Sequence, residues 1–111
     1  MAIKIIVSDT VKFKVKGTIK DGNGIDQPFD FSLTCKRLDA DQQAALKDEN
    51  GNIVYVDFME AVIQDWSGVK DGNDENLPYT ADNWRALAKV QGVAQLAWLT
   101  YMRESGAKEK N

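Results

Sequence analysis

Two segments near the start of the chain alternate between apolar and polar residues. In residues 11–20 the odd positions are apolar or glycine and the even positions are polar, and residues 29–36 repeat the alternation. A period of two places every second side chain on one face of a strand. The intervening residues 21–28 are rich in turn-forming glycine, aspartate and asparagine. The pattern predicts an antiparallel β-hairpin with one buried face, and we expect residues 3–7 to add a third strand.

From Asp39 onward the apolar residues recur every three or four positions, which is typical of helices. Asp39 begins a capping-box sequence, and the spacing of residues 58–66 predicts a second, more apolar helix of about fourteen residues. Thr80 is a good N-cap for a third helix. Gly92 separates that helix from a last one over residues 93–103. We therefore predict an α+β fold in which an antiparallel hairpin or three-stranded meander precedes three to four short α-helices.

The chain length of 111 residues suits a single domain. Within that domain we expect a β-meander over residues 1–36 and a helical part over residues 39–105. Residues 106–111 should form a flexible tail.

The composition argues against most kinds of chemistry. The chain has no histidine and one cysteine, so the usual histidine-dependent nucleophilic mechanisms and zinc sites cannot be assembled. A net charge of -3 argues against a general nucleic-acid binder. We see no apolar run of membrane-spanning length and no secretion signal. We therefore expect a non-enzymatic protein without cofactor or metal that does not bind nucleic acid or membranes.

The last predicted helix is apolar around almost its whole circumference. Its polar residues are few, with Gln95, Thr100 and Arg103 interrupting the apolar surface. A helix on the surface of a small domain normally keeps a polar face. This helix therefore either lies deep in the core or offers a second apolar face to a partner.

Four lysines share the polar face of the first strand, namely Lys12, Lys14, Lys16 and Lys20. Such a row could bind phosphates or an acidic partner. It could also be a solvated sheet face whose lysines discourage pairing with the strands of other molecules. The acidic net charge favours the second interpretation.

Other candidate sites have ordinary explanations. The acidic loop of residues 71–76 resembles a calcium loop, but Asn76 stands where the sharp turn of such a loop requires glycine. The carboxylate pair Asp57 and Glu60 has no neighbouring nucleophile and is better explained as helix-capping and solvating charge. Cys35 lies on the apolar face of its strand, which favours an inert buried thiol.

A turn and the loop that follows it carry a family resemblance. The sequence Asp65-Trp66-Ser67-Gly68-Val69 follows an apolar helix, and an acidic loop leads to Leu77-Pro78-Tyr79-Thr80. With the helix that follows and a last helix carrying Tyr101, residues 53–111 resemble a tail assembly chaperone of a long-tailed, siphovirus-like bacteriophage or prophage. The motif consists of common packing residues, and Trp98 is a departure because the family pattern does not require an aromatic residue there.

The resemblance implies a small, non-catalytic assembly factor of the host bacterial cytoplasm. Such a protein binds the tape measure protein, keeps it soluble, helps recruit tail tube subunits and is absent from the mature virion. We expect it to form a homo-oligomer. The expected partner contacts are Trp84, Leu87, Trp98, Leu99, Tyr101 and Met102. The expected structural joint that positions them comprises Asp65, Trp66, Gly68, Val69, Pro78 and Tyr79.

Two other functions remain open at this point. The chain could be a structural virion component, such as a tail tube or head-tail joining subunit. It could also be a small inhibitor or regulator that binds a host protein.

Overall fold

A computed structural model describes residues 2–5 and 8–109, and it confirms the α+β class. Within these residues, three strands form one antiparallel sheet and four helices accompany it. In chain order these elements are β1 (Thr10–Lys20), β2 (Asp26–Lys36), α1 (Ala40–Ala44), α2 (Tyr55–Val62), β3 (Ile63–Ser67), α3 (Ala81–Ala88) and α4 (Val93–Ser105). None of the described helices has the length and apolar content needed to cross a bilayer.

The predicted hairpin is confirmed. β1 and β2 pair antiparallel without a break from Thr10 opposite Lys36 to Lys20 opposite Asp26. The turn between them is held by Asp21, whose Oδ1 accepts from the backbone N–H groups of Asn23 at 2.8 Å and Ile25 at 3.0 Å. A side-chain oxygen that captures backbone donors in this way stabilises a tight turn.

The third strand is Ile63–Ser67 rather than the segment predicted near the N-terminus. Residues 2–5 form no strand, and Ile6 and Val7 lie outside the described residues. β3 pairs with β2, so that Trp66 lies opposite Leu33, and the sheet order is β1-β2-β3. A strand therefore lies inside the region predicted to be wholly helical.

A bulge explains why β3 resembled a helix in the sequence. The pairing shifts register at Thr34 and Cys35, so Gln64 is an extra residue in β3. The bulge separates the buried residues Ile63 and Trp66 by three positions instead of two. Three is also a helical spacing, so the expected fourteen-residue helix is in fact the eight-residue α2 followed directly by β3.

The predicted helix starts agree with the structure. Asp39 Oδ1 accepts from the Gln42 N–H at 2.8 Å while Gln42 Oε1 accepts from the Asp39 N–H at 3.0 Å, which completes the capping box of α1. Thr80 Oγ1 accepts from the Asn83 N–H at 3.0 Å at the start of α3. Gly92 has φ +88°, a left-handed conformation that separates α3 from α4.

The core lies between the sheet and helices α2, α3 and α4. Its largest fully buried side chains include Trp84, Tyr101 and Phe58. The rings of Phe58 and Tyr101 meet edge to face with centroids 5.7 Å apart. The Tyr101 hydroxyl donates to the Lys36 carbonyl at 2.8 Å and accepts from the Leu38 N–H at 3.2 Å. These bonds fix α4 to the end of β2.

Candidate partner-binding surface

The turn after β3 is held by two aromatic side chains, Trp66 before the loop and Tyr79 near its end. Trp66 Nε1 donates to the Leu77 carbonyl oxygen at 2.8 Å. The Tyr79 ring packs edge-on against the Trp66 ring, with centroids 5.2 Å apart and an interplanar angle of 83°. These contacts close the loop of residues 68–80 onto the sheet.

The backbone of the same turn requires glycine at position 68. Gly68 has φ +84°, and a Cβ there would lie 3.4 Å from the Phe31 Cα on the neighbouring strand. The next residue, Val69, is buried and its carbonyl accepts from the Leu77 N–H at 2.9 Å. A side chain at position 68 would be strained by the positive φ and would also crowd strand β2.

The two remaining joint residues are Asp65, which lies in β3, and Pro78, which lies just before α3. Asp65 Oδ1 accepts from the Trp66 N–H at 2.9 Å. The Pro78 carbonyl accepts from Asn83 Nδ2 at 2.9 Å, next to the N-cap of α3. Of the six residues expected to form the joint, Asp65 and Trp66 therefore lie in β3, and the other four lie in the loop between β3 and α3.

The acidic loop uses its first carboxylate to hold its own backbone. Asp71 Oδ1 accepts from the N–H groups of Asn73 at 2.8 Å and Glu75 at 3.1 Å. Lys70 Nζ lies 3.6 Å from Asp74 Oδ1. The loop is a small hairpin-like turn, and the described residues contain no group of three possible metal-binding side chains.

The expected contact residues fall into three groups. Trp84 and Tyr101 have no exposed surface, so these two belong to the core and we correct their assignment. Leu99 and Met102 on α4 are exposed, with 48% and 36% of their surface accessible. Leu87 and Trp98 are partly buried against the core.

Trp98 contributes mainly to packing. Its ring centroid is 5.1 Å from that of Tyr55 and 6.4 Å from that of Phe58. Its indole nitrogen is buried and has no hydrogen-bond partner among the described residues. By contrast, Trp84 Nε1 donates to the Val56 carbonyl at 3.0 Å. Trp98 is therefore partly a core residue, and the accessible apolar surface of α4 centres on Leu99 and Met102.

The structure also reveals an apolar groove that contains only one of the expected contact residues, Leu87. The groove lies between the far end of the hairpin, the turn at Gly68 and the junction of α3 with α4, and has a volume of about 280 Å³. We call it the apolar groove; its apolar lining residues are Ile19, Phe29, Phe31, Val69, Leu87, Val90 and Val93. Ile19 and Val90 are 47% and 37% exposed.

The groove lies where the burial of the hairpin's apolar face decreases toward the turn. Phe13 and Val15 in the first half of β1 are buried, but Ile19 continues the same apolar face and is open to solvent. Gly17 lies between them without a side chain. A Cβ there would be 2.6 Å from Phe29 Cζ and 2.8 Å from Leu96 Cδ2, so the glycine makes room for both side chains.

Sequence reasoning could identify the apolar face of the hairpin but not the part of it that stays uncovered. The signal for Ile19 and Phe29 was the continuation of the alternation toward the turn. Val90 carried no signal of its own, because it follows α3 in the short connection to Gly92. Only the position of the helices brings Leu87 and Val90 beside the hairpin.

Two further side chains, Arg85 and Cys35, have shifted pKa values. Arg85 on α3 donates to Asp57 Oδ1 at 2.7 Å and also to Glu60, which links α3 to α2. These carboxylates raise the pKa of the Arg85 guanidinium. Burial raises the pKa of the Cys35 thiol to about 12, so the neutral thiol is strongly favoured at physiological pH.

Comparison with known proteins identifies a prophage protein family that matches this chain. Searches of curated proteins and of solved structures gave no match. The profile of the family described as YdaY prophage protein matches residues 30–105, which is well over half of the chain. The matched region begins within β2 and includes the β3 turn, the acidic loop and α4. The chain belongs to the YdaY prophage protein family.

Proposed function

We propose that this prophage protein is a non-catalytic tail assembly chaperone. In this role it binds the tape measure protein, keeps its apolar helices soluble and helps recruit tail tube subunits. The observation that carries the proposal is the apolar groove, which leaves Ile19 and Val90 open to solvent on a small acidic protein. Exposed apolar clusters of this kind commonly serve as binding sites.

A helix is the occupant that this groove suits. An amphipathic helix binds a groove through apolar side chains spaced three and four residues apart, and these anchors fill pockets between secondary-structure elements. The lining of the apolar groove combines the exposed side chains of Ile19 and Val90 with the buried side chains of Phe31 and Val93. A tape measure protein with long apolar helices would offer many such segments, and a shallow groove could accept different segments in turn.

Leu99 and Met102 provide a second apolar surface, on α4. The flexible, polarisable side chain of methionine adapts to partners of different shape. We assign this surface to self-association or to tail tube recruitment. In this proposal the protein acts in the bacterial cytoplasm as a homo-oligomer and leaves before the particle is complete.

Co-expression with the tape measure protein tests the groove. The double variant Ile19→Ser and Val90→Ser removes two accessible apolar side chains, and we expect co-purification to fall by about tenfold or more. The matched control is Ile25→Ser, which changes an isoleucine that is 58% exposed in the hairpin turn and does not line the groove. Both proteins should keep the wild-type circular dichroism spectrum. Undiminished co-purification of a folded double variant would exclude the groove as the binding site.

The second surface is tested by Leu99→Gln with Met102→Gln. We expect this double variant to shift the mass measured by light scattering toward the monomer without loss of tape measure binding.

The protein content of purified phage particles distinguishes a chaperone from a structural component. If the protein is present there in stoichiometric amounts, the chaperone proposal is wrong and the virion-component interpretation is favoured.

A further inference from the structure

Strand β1 is an open edge of the sheet. β2 lies on one side of it, and no strand among residues 2–5 and 8–109 pairs with the other side. β1 is eleven residues long and pairs with β2 without a bulge. A long, regular edge presents unpaired backbone donors and acceptors, to which another strand can bind.

The hydrogen-bond pattern identifies which β1 residues face outward. Residues Asp9 and Asp21, at the two ends of β1, exchange backbone hydrogen bonds with the β2 side: the Arg37 N–H donates to the Asp9 carbonyl at 2.8 Å, and the Asp21 N–H donates to the Ile25 carbonyl at 2.9 Å. In an antiparallel pair such residues alternate with residues whose backbone groups point away. The N–H and C=O groups of Lys12, Lys14 and Lys16 therefore point to the open edge.

The same three lysines place their side chains on the uncovered face of the sheet. All three are exposed, and none forms an ion pair with another described residue. Their neighbours on β2 are Thr34, Ser32 and Asp30, respectively. On a chain of net charge -3, the row is a local concentration of positive charge beside an open edge.

A cavity of about 360 Å³ lies between the open edge and α4. It is bordered by the three lysines and Phe13 on β1 and by Leu96, Thr100, Arg103 and Glu104 on α4. Side chains of an added strand would alternate between the lysine face and this cavity. The cavity would thus receive every second side chain of the occupant.

From this geometry we propose that the β1 edge binds an extended segment of another protein as a fourth, antiparallel strand. The segment carries acidic residues at every second position, opposite Lys12, Lys14 and Lys16, and small apolar residues between them that face Leu96. Backbone hydrogen bonds provide affinity and the alternating charges provide register. The inference is independent of the apolar groove, which is lined by other residues.

The lysine row excludes a second copy of β1 as the occupant. Two β1 strands paired edge to edge would place lysines opposite lysines, and like charges at directly opposite positions destabilise a sheet. The lysines therefore discourage self-pairing and favour an acidic strand through the same charges.

The test uses a capped seven-residue peptide in which glutamate alternates with valine, with the intact protein observed by NMR. We expect chemical-shift changes and slower amide exchange at Lys12, Lys14 and Lys16. Peptide N-methylated at the glutamates cannot donate to β1 and should bind at least about tenfold more weakly. Peptide N-methylated at the valines, whose N–H groups point away, should bind like the parent peptide.

Two protein variants provide the matching control. Lys14→Pro removes the outward donor without removing a bond to β2, whereas Lys14→Gln removes only the charge. We expect the proline variant to lose peptide binding almost completely and the glutamine variant to lose it partly. If the proline variant fails to fold, the comparison of the two N-methylated peptides still tests the proposal. Equal binding of the two N-methylated peptides would overturn the proposal. So would displacement of the unmodified peptide by inorganic phosphate or RNA as effectively as by the unmodified peptide itself, because that would indicate general anion binding.

Discussion

Trp66 holds Leu77 across the loop that joins β3 to α3: the indole Nε1 donates to the Leu77 carbonyl oxygen at 2.8 Å. Replacing Trp66 by phenylalanine keeps an aromatic ring but leaves that carbonyl without its donor. We expect Trp66→Phe to lower the free energy of unfolding by about 1–3 kcal/mol. Urea denaturation followed by circular dichroism measures the change.

Trp98→Phe is the matched comparison for that substitution. The Trp98 indole nitrogen is buried without a hydrogen-bond partner among the described residues, so its removal breaks no such bond. The lost ring area is offset by the loss of an unsatisfied polar group, and we expect a change of less than about 1 kcal/mol. Equal destabilisation by the two substitutions would show that ring size, rather than the Leu77 bond, determines the effect.

A pair of glycine substitutions separates backbone strain from crowding at the β3 turn. Gly68 and Gly24 have φ +84° and +77°, but only Gly68 has neighbours within 4 Å of a built Cβ. The left-handed conformation alone costs an alanine about 1–2 kcal/mol. We expect Gly24→Ala to cost about that amount and Gly68→Ala to cost more, because Phe31 limits relaxation. Thermal unfolding of both variants checks the order, and a smaller effect at position 68 would contradict it.

Cys35 should report unfolding of the sheet. Its side chain is fully buried, and burial raises the pKa of the thiol to about 12, so the reactive thiolate is suppressed in the folded protein. At pH 8 we expect labelling by an aromatic disulfide reagent to be at least about a hundredfold slower than in denaturant. Rapid labelling of the native protein would mean that β2 is exposed by frequent local opening.

Acid should weaken the hairpin turn through Asp21. Hydrogen bonds from the Ile25 and Asn23 backbones, and then from the Gln27 side chain, lower the pKa of the Asp21 carboxyl below its usual range. Because the pKa is lower in the folded state, the stabilisation is complete above the ordinary aspartate value and is lost as the pH falls through the lowered pKa.

NMR titration of the side-chain carboxyl group gives the Asp21 midpoint directly. We expect the Asn23 and Ile25 amide signals to shift with the same midpoint. Asp21→Asn retains an acceptor oxygen that does not titrate, so its amide signals should lose this pH dependence. An Asp21 midpoint at or above the ordinary aspartate value would contradict the prediction.

The sequence was most informative where one element presents one face to the core. The alternation in β1 and β2 predicted the hairpin because period and burial agree along most of its length. Asp39 and Thr80 predicted helix starts because capping is a local interaction. The β3 strand was missed because the bulge at Gln64 gave its buried residues a helical spacing.

The partner-binding surface was less predictable because it depends on how far one layer covers another. Composition could suggest that α4 has surplus apolar surface, and Leu99 and Met102 are indeed exposed. It could not show that Tyr101 lies inward with its hydroxyl bonded to the end of β2. Nor could it show that Ile19 stays exposed beside Val90, because that depends on how elements distant in sequence pack together.

The covering of the hairpin by α4 has a consequence for synthesis on the ribosome. β1 and β2 are neighbours in sequence and can pair early, whereas α4 begins only at Val93. Until α4 emerges, Phe13 and Val15 lack the helix that packs over them, and β2 also awaits β3. A nascent chain therefore passes through an interval in which its own apolar sheet needs shielding, so a protein proposed to protect other chains from aggregation is itself vulnerable to aggregation until its last helix is made.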